Sequence, residues 1–209
     1  EDAVIVNAAG SLPGDLHRLW RTRTLGGYHM EYGFSCMGYE VAGALGVKWA
    51  EPHRPVYALV GDGSYLMLHS ELVTSLREHT KITVIVFDNG GFRSIQNLQT
   101  SHGFAPYGNE FRQRDNHSRQ LTGPHWGMNF AEAARGLGAV GLTADSPDTL
   151  MAALAEARLA ERTVVIDLKI HPGQETTGYD TWWRVGVPEV PESPDYADNL
   201  KQLNRARPW

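Results

Sequence analysis

Polar residues directly follow two apolar segments in the middle of the sequence. Residues 56–60 form a short strand-like run that leads into Gly61-Asp62-Gly63-Ser64, where two glycines allow a tight turn and the close approach of a ligand. Residues 82–87 form a second apolar run, which leads into Asp88-Asn89-Gly90-Gly91-Phe92. Carboxylate and amide oxygens suit a hard cation such as Mg²⁺, which often shares its coordination with phosphate groups. We interpret the two motifs as a candidate site for a metal ion and a diphosphate.

A helical segment separates these two predicted strands. Apolar residues recur there with helical spacing, at Leu66, Leu68, Leu72, Val73 and Leu76. The pattern predicts one amphipathic helix packed on a sheet. Strands joined by a helical crossover pair in parallel, so their carboxyl ends meet at one edge of the sheet. We therefore expect Asp62 and Asn89 to converge; the alternative is that both glycine-rich segments are ordinary turns.

Strand-like and helical patterns alternate along most of the chain. Further strands are predicted at 3–8, 138–142 and 163–170, and helices at 12–20, 38–50, 129–137 and 146–160. This alternation predicts an α/β fold with a doubly wound parallel sheet and helices on both of its faces. The segments 21–33 and 90–127 lack a clean period and are expected to be irregular.

The sequence changes character near its end. We expect residues 1–172 to form one domain and residues 173–209, which are rich in proline, to form an irregular C-terminal extension. That extension is expected to pack on the domain or on a partner subunit. Trp182 and Trp183 could cover the site, although burial against the domain or a partner is the favoured interpretation.

Composition narrows the class of protein. The 209 residues are 42% hydrophobic and carry a formal net charge of −5, with Lys and Arg dispersed, which argues against a nucleic-acid partner. We find no apolar run of membrane length and no signal-peptide pattern, so a soluble cytoplasmic protein is expected. The single cysteine, Cys36, excludes an internal disulfide, and a buried structural position is expected for it. Because the chain opens at Glu1 and leads straight into a strand, we expect a piece of a longer polypeptide.

The two glycine-rich motifs resemble the metal and diphosphate motif of thiamine diphosphate enzymes. The resemblance implies a thiamine diphosphate-binding fold, of which this chain is the diphosphate-binding domain. It also implies that the side chains of Asp62 and Asn89 and the carbonyl of Gly91 hold Mg²⁺. The other motif residues would contact the cofactor, namely Gly61, Gly63, Ser64 and Phe92.

A second segment also follows the family pattern. Gly33-Phe34-Ser35-Cys36-Met37-Gly38 resembles a segment whose bulky apolar residue holds the cofactor in a bent conformation. The resemblance implies that Met37 is this wedge, and that the Ser35 carbonyl and the Met37 N–H bond the pyrimidine ring. Ordinary core packing is the alternative role for Met37. Ser11, in the loop after the first strand, is a further candidate to contact the diphosphate, and capping the next helix is its alternative role.

The flanking sequence narrows the resemblance. Segments 9–20, 27–40, 61–76 and 178–183 are similar to the trihydroxycyclohexane-1,2-dione hydrolases of myo-inositol catabolism. This implies hydrolytic cleavage of the bond between the two carbonyl carbons of a polyhydroxylated cyclic diketone, yielding 5-deoxyglucuronate, with the cofactor as electron sink. Residues 93–127 depart from that pattern, so the substrate is less well defined than the cofactor.

The pyrimidine-binding domain of that family has no counterpart in these motifs. Its members activate the cofactor with a glutamate from a pyrimidine-binding domain of a partner subunit, and Glu31, Glu40 and Glu71 are poor substitutes. The resemblance implies a homodimer or homotetramer, and we expect no turnover from this chain alone. His29 is the candidate for proton transfer near the cofactor, against the more favoured alternative of a structural role.

Other functions share part of this pattern. Acetolactate synthases and 2-oxoacid decarboxylases have the same metal and diphosphate motif, and a catalytically incomplete subunit that only binds the cofactor is a non-enzymatic alternative. A nicotinamide-binding fold is disfavoured, because the Gly-x-Gly-x-x-Gly pattern is absent after the first strand.

Overall fold

The structure is a computed structural model that describes residues 2–101 and 104–170, together with residues 198 and 201. Within these ranges, strands and helices alternate. The strands are β1 (Val4–Asn7), β2 (Tyr28–Met30), β3 (Val56–Gly61), β4 (Thr83–Asp88), β5 (Val140–Ala144) and β6 (Val164–Lys169). The helices are α1 (Ser11–Leu19), α2 (Tyr39–Ala50), α3 (Asp62–Met67), α4 (Glu71–Arg77), α5 (Arg93–Ser101), α6 (Phe130–Leu137) and α7 (Pro147–Leu159).

These strands form one parallel sheet in the order β2-β1-β3-β4-β6-β5. β3 and β4 are direct neighbours, with Gly61 opposite Phe87 at their carboxyl ends. The chain runs outward from β1 to β2 and then returns past β1 to β3, so its connections diverge between β1 and β3. Open α/β sheets bind ligands at the carboxyl edge beside such a divergence. The predicted parallel sheet is confirmed, and the strands that precede both motifs lie near its centre.

Two apolar cores hold helices on both faces of the sheet. One core joins strand residues such as Val60 to α2, α4 and α6. The other joins strand residues such as Leu59 to α1 and α7. Full burial of one such side chain contributes about 1.5–3 kcal/mol, so the helices are fixed mainly by these contacts. The doubly wound α/β architecture is therefore confirmed.

Polar caps set the starts of α6 and α7. The Asn129 side chain accepts a hydrogen bond from the N–H of Glu132 and begins α6. Ser146 begins α7 in a reciprocal capping arrangement with Thr149, and Pro147 takes the first helical position. This is the start that the sequence predicts for α7.

Three elements differ from the prediction. The segment 21–33, expected to be irregular, contains strand β2, and the run 90–127 begins with helix α5. The single helix expected after residue 61 is divided into α3 and α4, which leaves Leu66 40% and Leu68 44% exposed. At the break, the His69 ring lies 3.1 Å from the Tyr65 carbonyl, which a continuous helix would use for its backbone ladder.

Cys36 also departs from its expected burial, because it is exposed. Desolvation and the neighbouring Glu31 carboxylate raise the pKa of the Cys36 thiol, which disfavours the reactive thiolate.

The end of the chain is described at two residues only. The predicted boundary at residue 172, Trp182 and Trp183 lie outside the described residues, so the predicted extension stays a prediction. In the part of the chain that the structure describes, no helix combines the length and the apolar character needed to cross a membrane.

Candidate functional site

Three segments meet at the carboxyl edge of the sheet. They follow β1, β3 and β4, which are consecutive neighbours in the sheet order. The predicted convergence of Asp62 and Asn89 is present, because the N–H of Asn89 lies 3.2 Å from Oδ2 of Asp62. This contact joins residues 27 positions apart in the sequence. The two glycine-rich segments therefore contact each other at this edge.

The Asp62 carboxylate is the centre of this edge. It is fully buried, and Oδ1 accepts a hydrogen bond from the Gly63 N–H at 2.6 Å. Oδ2 accepts from the N–H groups of Gly90 and Gly91 at 2.7 and 2.9 Å. Burial raises the pKa of Asp62 to about 6; the backbone donors oppose this rise and the charge of Asp88 adds to it. A buried anion held only by neutral N–H donors attracts a cation.

Asn89 supplies a second oxygen beside this carboxylate. Its Oδ1 is buried and has no hydrogen-bond partner in the described part of the chain. An unpaired buried acceptor costs about 1–3 kcal/mol, and coordination of a cation would satisfy it. The carbonyl of Gly91 accepts a hydrogen bond from the N–H of Arg93 at 3.0 Å. This bond uses one of the two lone pairs of the carbonyl oxygen and leaves the other for a cation.

These oxygens define the kind of metal that would fit. Among the described residues, no group of three or more His, Cys, Asp or Glu side chains is arranged to hold a metal ion. A metal at this edge would therefore combine one carboxylate with amide and carbonyl oxygens. Such a ligand set suits Mg²⁺, which usually completes its shell with water and phosphate, rather than zinc.

The other motif residues have different surroundings. A Cβ on Gly63 would overlap the Phe92 ring, so this glycine is required by close packing. A Cβ on Gly61 would meet nothing within 4 Å, which leaves open space at the end of β3. The Ser64 hydroxyl is directed into the protein, where it accepts from the Gly38 N–H at 2.7 Å and donates to the Glu40 carboxylate. A cofactor contact by Ser64 would therefore use its backbone.

The predicted wedge lies close to the start of α3, where Asp62 is. Met37 is 37% exposed, so it is available to a ligand and is not the core residue of the alternative interpretation. Ser35 has φ 51°, and Gly38, at φ 90°, precedes α2. A Cβ on Gly38 would lie 2.8 Å from Cβ of Leu68, so the wedge segment packs against the chain just after α3.

Two further candidate residues, Ser11 and His29, lie on α1 and β2. Ser11 is exposed and is the first residue of α1; Gly10 occupies the N-cap position and no side chain caps this helix, so the capping alternative for Ser11 is wrong. His29 lies in β2 opposite Val6, and β1 separates it from β3. Its Nε2 is buried without a hydrogen-bond partner among the described residues. The proton-transfer role of His29 stays a prediction.

Sequence reasoning missed a charged cluster behind the Asn89 loop. Lys169 Nζ contacts the carboxylates of Asp88 at 2.6 Å and Asp167 at 2.9 Å. Desolvation lowers the pKa of Lys169, but these two carboxylates outweigh it and leave the pKa raised. Asp88 pairs with Lys169 in the β4–β6 register. Only knowledge that β4 and β6 are neighbours would have revealed this cluster.

A second missed feature is the strap, which we define as residues 104–127. The strap packs on the Asn89 loop through a bridge between Gly91 and Glu110 and a hydrogen bond from the Phe111 N–H to the Gly90 carbonyl at 2.9 Å. The Glu110 carboxylate pairs with Arg93 at 3.1 Å and Arg112 at 2.7 Å. Because Arg93 also donates to the Asn89 carbonyl at 3.2 Å, the strap supports the candidate metal loop.

Comparison with known proteins identifies a matching family model and similar curated proteins. Residues 8–168 match the family model described as thiamine pyrophosphate enzyme, C-terminal TPP binding domain. The whole chain is 51% identical to 3D-(3,5/4)-trihydroxycyclohexane-1,2-dione hydrolase 2 of Bacillus cereus, and 51% identical to the hydrolase of the same name, without a number, from Bacillus thuringiensis (strain Al Hakam). The chain spans 33% of the length of these curated relatives.

A solved structure shares the fold. The thiamine diphosphate-dependent 4-hydroxybenzoylformate decarboxylase of Rhodococcus jostii RHA1 superposes with a TM-score of 0.69 at 21% identity. The match covers 82% of this chain and 30% of that one. At this level of identity the similarity concerns the fold alone.

Proposed function

The chain belongs to the thiamine pyrophosphate enzymes, as their C-terminal TPP-binding domain, and we propose that it binds thiamine diphosphate through Mg²⁺ in a hydrolase that opens trihydroxycyclohexane-1,2-dione. One observation carries the metal part of this proposal: the buried, unpartnered Oδ1 of Asn89 lies on the loop that hydrogen-bonds to the buried Asp62 carboxylate. The names of the similar proteins support the substrate.

In this proposal each residue of the edge has a separate task. Asp62 and Asn89 would hold the Mg²⁺ ion together with the Gly91 carbonyl, and the open space at Gly61 would admit the diphosphate. Met37 would support the body of the cofactor from the side. The cofactor, when bound, supplies the nucleophilic carbon and the electron sink needed to cleave a bond between two carbonyl carbons. The chain's own residues bind and orient it, and exclude water from the buried carboxylate.

The rest of the machinery is proposed to come from outside this chain. The curated relatives are about three times as long as the matched chain, since the chain spans 33% of them. Apolar side chains around the wedge and α3 are exposed, among them Phe34 (91%), Met67 (55%) and Leu68 (44%). Such a patch is typical of a surface covered by another part of a protein. We propose that a pyrimidine-binding domain of a second subunit covers it, in a homodimer or homotetramer.

The metal site is tested by replacing its ligands. In the full-length protein, Asn89→Ala and Asp62→Ala should each weaken Mg²⁺-dependent binding of thiamine diphosphate by about 10-fold or more, because each removes a ligand to a charged centre. Isothermal titration calorimetry with and without Mg²⁺ measures this. Asn116→Ala, an exposed position on the strap, is the matched control. Equal affinity in all four proteins would remove the metal site from this edge.

The substrate is tested separately. Full-length protein loaded with cofactor should consume trihydroxycyclohexane-1,2-dione and produce one equivalent of acid. Pyruvate and aromatic 2-oxoacids are the comparison substrates, and release of carbon dioxide from either would favour a decarboxylase or synthase. Cofactor binding without turnover of any of them would favour a subunit that only binds the cofactor.

A further inference from the structure

Glu40 is a buried carboxylate that the proposed metal site does not use. It is the second residue of α2 and only 1% exposed. No ion pair in the described ranges includes it. Burial raises the pKa of Glu40, and the hydrogen bonds that it accepts oppose this rise. A carboxyl group in such a position is costly unless its oxygens are well bonded, so its partners indicate its role.

The hydrogen bonds of Glu40 come from three separate segments of the site. Oε1 accepts from the Ala9 N–H at 3.4 Å, in the loop after β1. Oε2 accepts from the Gly38 N–H at 3.1 Å, directly after the Met37 wedge. The Ser64 hydroxyl lies 3.0 and 2.9 Å from the two oxygens, and Ser64 follows Asp62 by two residues. One side chain therefore joins all three of these segments.

A further hydrogen bond joins the wedge to the start of α3. The Gly38 N–H also lies 2.7 Å from the Ser64 hydroxyl, so Gly38, Ser64 and Glu40 form a closed set of hydrogen bonds. A carboxylate can accept all of these bonds, whereas a glutamine would turn its NH₂ group toward one of the donors. The set therefore depends on a carboxyl group at this position.

We propose that Glu40 is a positioning residue that fixes the distance between the Met37 wedge and the start of α3 at Asp62, so that the body and the diphosphate of one cofactor molecule are bound in a single geometry. This inference rests on the proposed function, because it assumes that the wedge and the metal site at Asp62 bind the same thiamine diphosphate. Glu40 itself acts through Gly38 and Ser64 and need not touch the cofactor.

A double-mutant cycle in the full-length protein tests this role. Glu40→Gln, Met37→Ala and the double variant are titrated with thiamine diphosphate in the presence of Mg²⁺, and thermal unfolding is recorded for each. Glu40→Gln should weaken binding about tenfold, as expected for lost hydrogen bonds to a charged group. If Glu40 acts through the wedge, the double variant should bind thiamine diphosphate about as weakly as whichever single variant binds it less tightly.

Each other outcome has a definite meaning. Unchanged affinity in Glu40→Gln would overturn the positioning role. Losses of affinity that add in the double variant would also overturn it, because additive losses show that Glu40 and Met37 act independently. A merely structural residue would lower the melting temperature without this coupling to Met37. Glu156→Gln, an exposed position on α7, is the matched control. If Glu40→Gln does not fold, Glu40→Asp takes its place in the cycle, since it keeps the charge and shortens the reach. Failure of the unmodified protein to bind the cofactor would instead contradict the proposed function.

Discussion

Gly61 and Gly63 flank Asp62, yet a methyl group would meet different surroundings at each. At Gly63 it would overlap the ring of Phe92, whereas at Gly61 it would meet nothing within 4 Å. We expect Gly63→Ala to lower the free energy of unfolding by about 1–3 kcal/mol, as overpacking does. Gly61→Ala should change it by less than about 1 kcal/mol. Urea unfolding of the full-length protein, followed by tryptophan fluorescence, compares the two variants.

The pair is informative because the two positions lie in one motif and carry the same substitution. Equal destabilisation by both alanines would show that the turn itself, and not the Phe92 contact, requires glycine. The sequence alone favoured a common explanation, namely that both glycines allow a tight turn. The ring against Gly63 comes from 29 residues further along the chain, a contact that local sequence does not reveal.

At the scale of the elements, the strongly patterned segments were predicted and the weakly patterned ones were not. β3, β4 and β6 are mainly apolar runs, with Asp167 as the charged exception inside β6, and α7 carries its own start signals in Ser146 and Pro147. β2 has only three residues, all of them half-buried, so it shows no alternation to detect. α5 is a polar helix that contacts the strap. Its anchor is the pair between Arg93 and Glu110, which no periodicity encodes.

The strap supplies a prediction with a defined pH dependence. Burial opposes ionisation of Glu110, but Arg112, Arg93 and His125 outweigh it and lower the pKa below 4.5. A carboxyl with a lowered pKa in the folded state contributes stability above its unfolded pKa, and this contribution is lost as the pH falls through the folded pKa. Glu110→Gln should therefore increase amide exchange in residues 104–127 about tenfold at pH 7, because the strap opens more often.

Acid should remove the difference between the two proteins. As the pH falls through the folded pKa, which lies below 4.5, the unmodified strap loses the same charge, so its exchange should approach that of Glu110→Gln measured at the same pH. Glu132→Gln is the control, since its ion pair with Arg135 lies on an exposed helix face and is worth little. A ratio of exchange rates that does not change with pH would show that Glu110 does not hold the strap by its charge.

At the scale of the whole molecule, the site depends on strand order. The crossover rule placed Asp62 and Asn89 together, because β3 and β4 are consecutive and parallel. It did not place β1 beside β3 or β6 beside β4, which bring the Ala9 loop and Lys169 to the same edge. The contacts of Glu40 span 31 and 24 positions, so its place between three segments became visible only in the assembled sheet.

The same assembly explains why this chain is expected to lack turnover by itself. Glu40 is occupied by its hydrogen bonds to Ala9, Gly38 and Ser64, and the Glu31 carboxylate accepts from the N–H groups of Phe34 and Cys36 at 3.0 and 2.5 Å. Both carboxylates are therefore engaged in local hydrogen bonds, and Glu71 begins α4 beyond the exposed Leu68.

The proposed function therefore predicts that activation of the cofactor comes from another domain. The purified 209-residue chain, given thiamine diphosphate, Mg²⁺ and trihydroxycyclohexane-1,2-dione, should produce no more acid than its Asp62→Ala variant, while the full-length protein in the same assay is the positive control. Because the comparison uses the same chain with its proposed metal ligand removed, it separates catalysis from background decay of the substrate. Turnover by the isolated chain above that background would mean that a base within these residues completes the site.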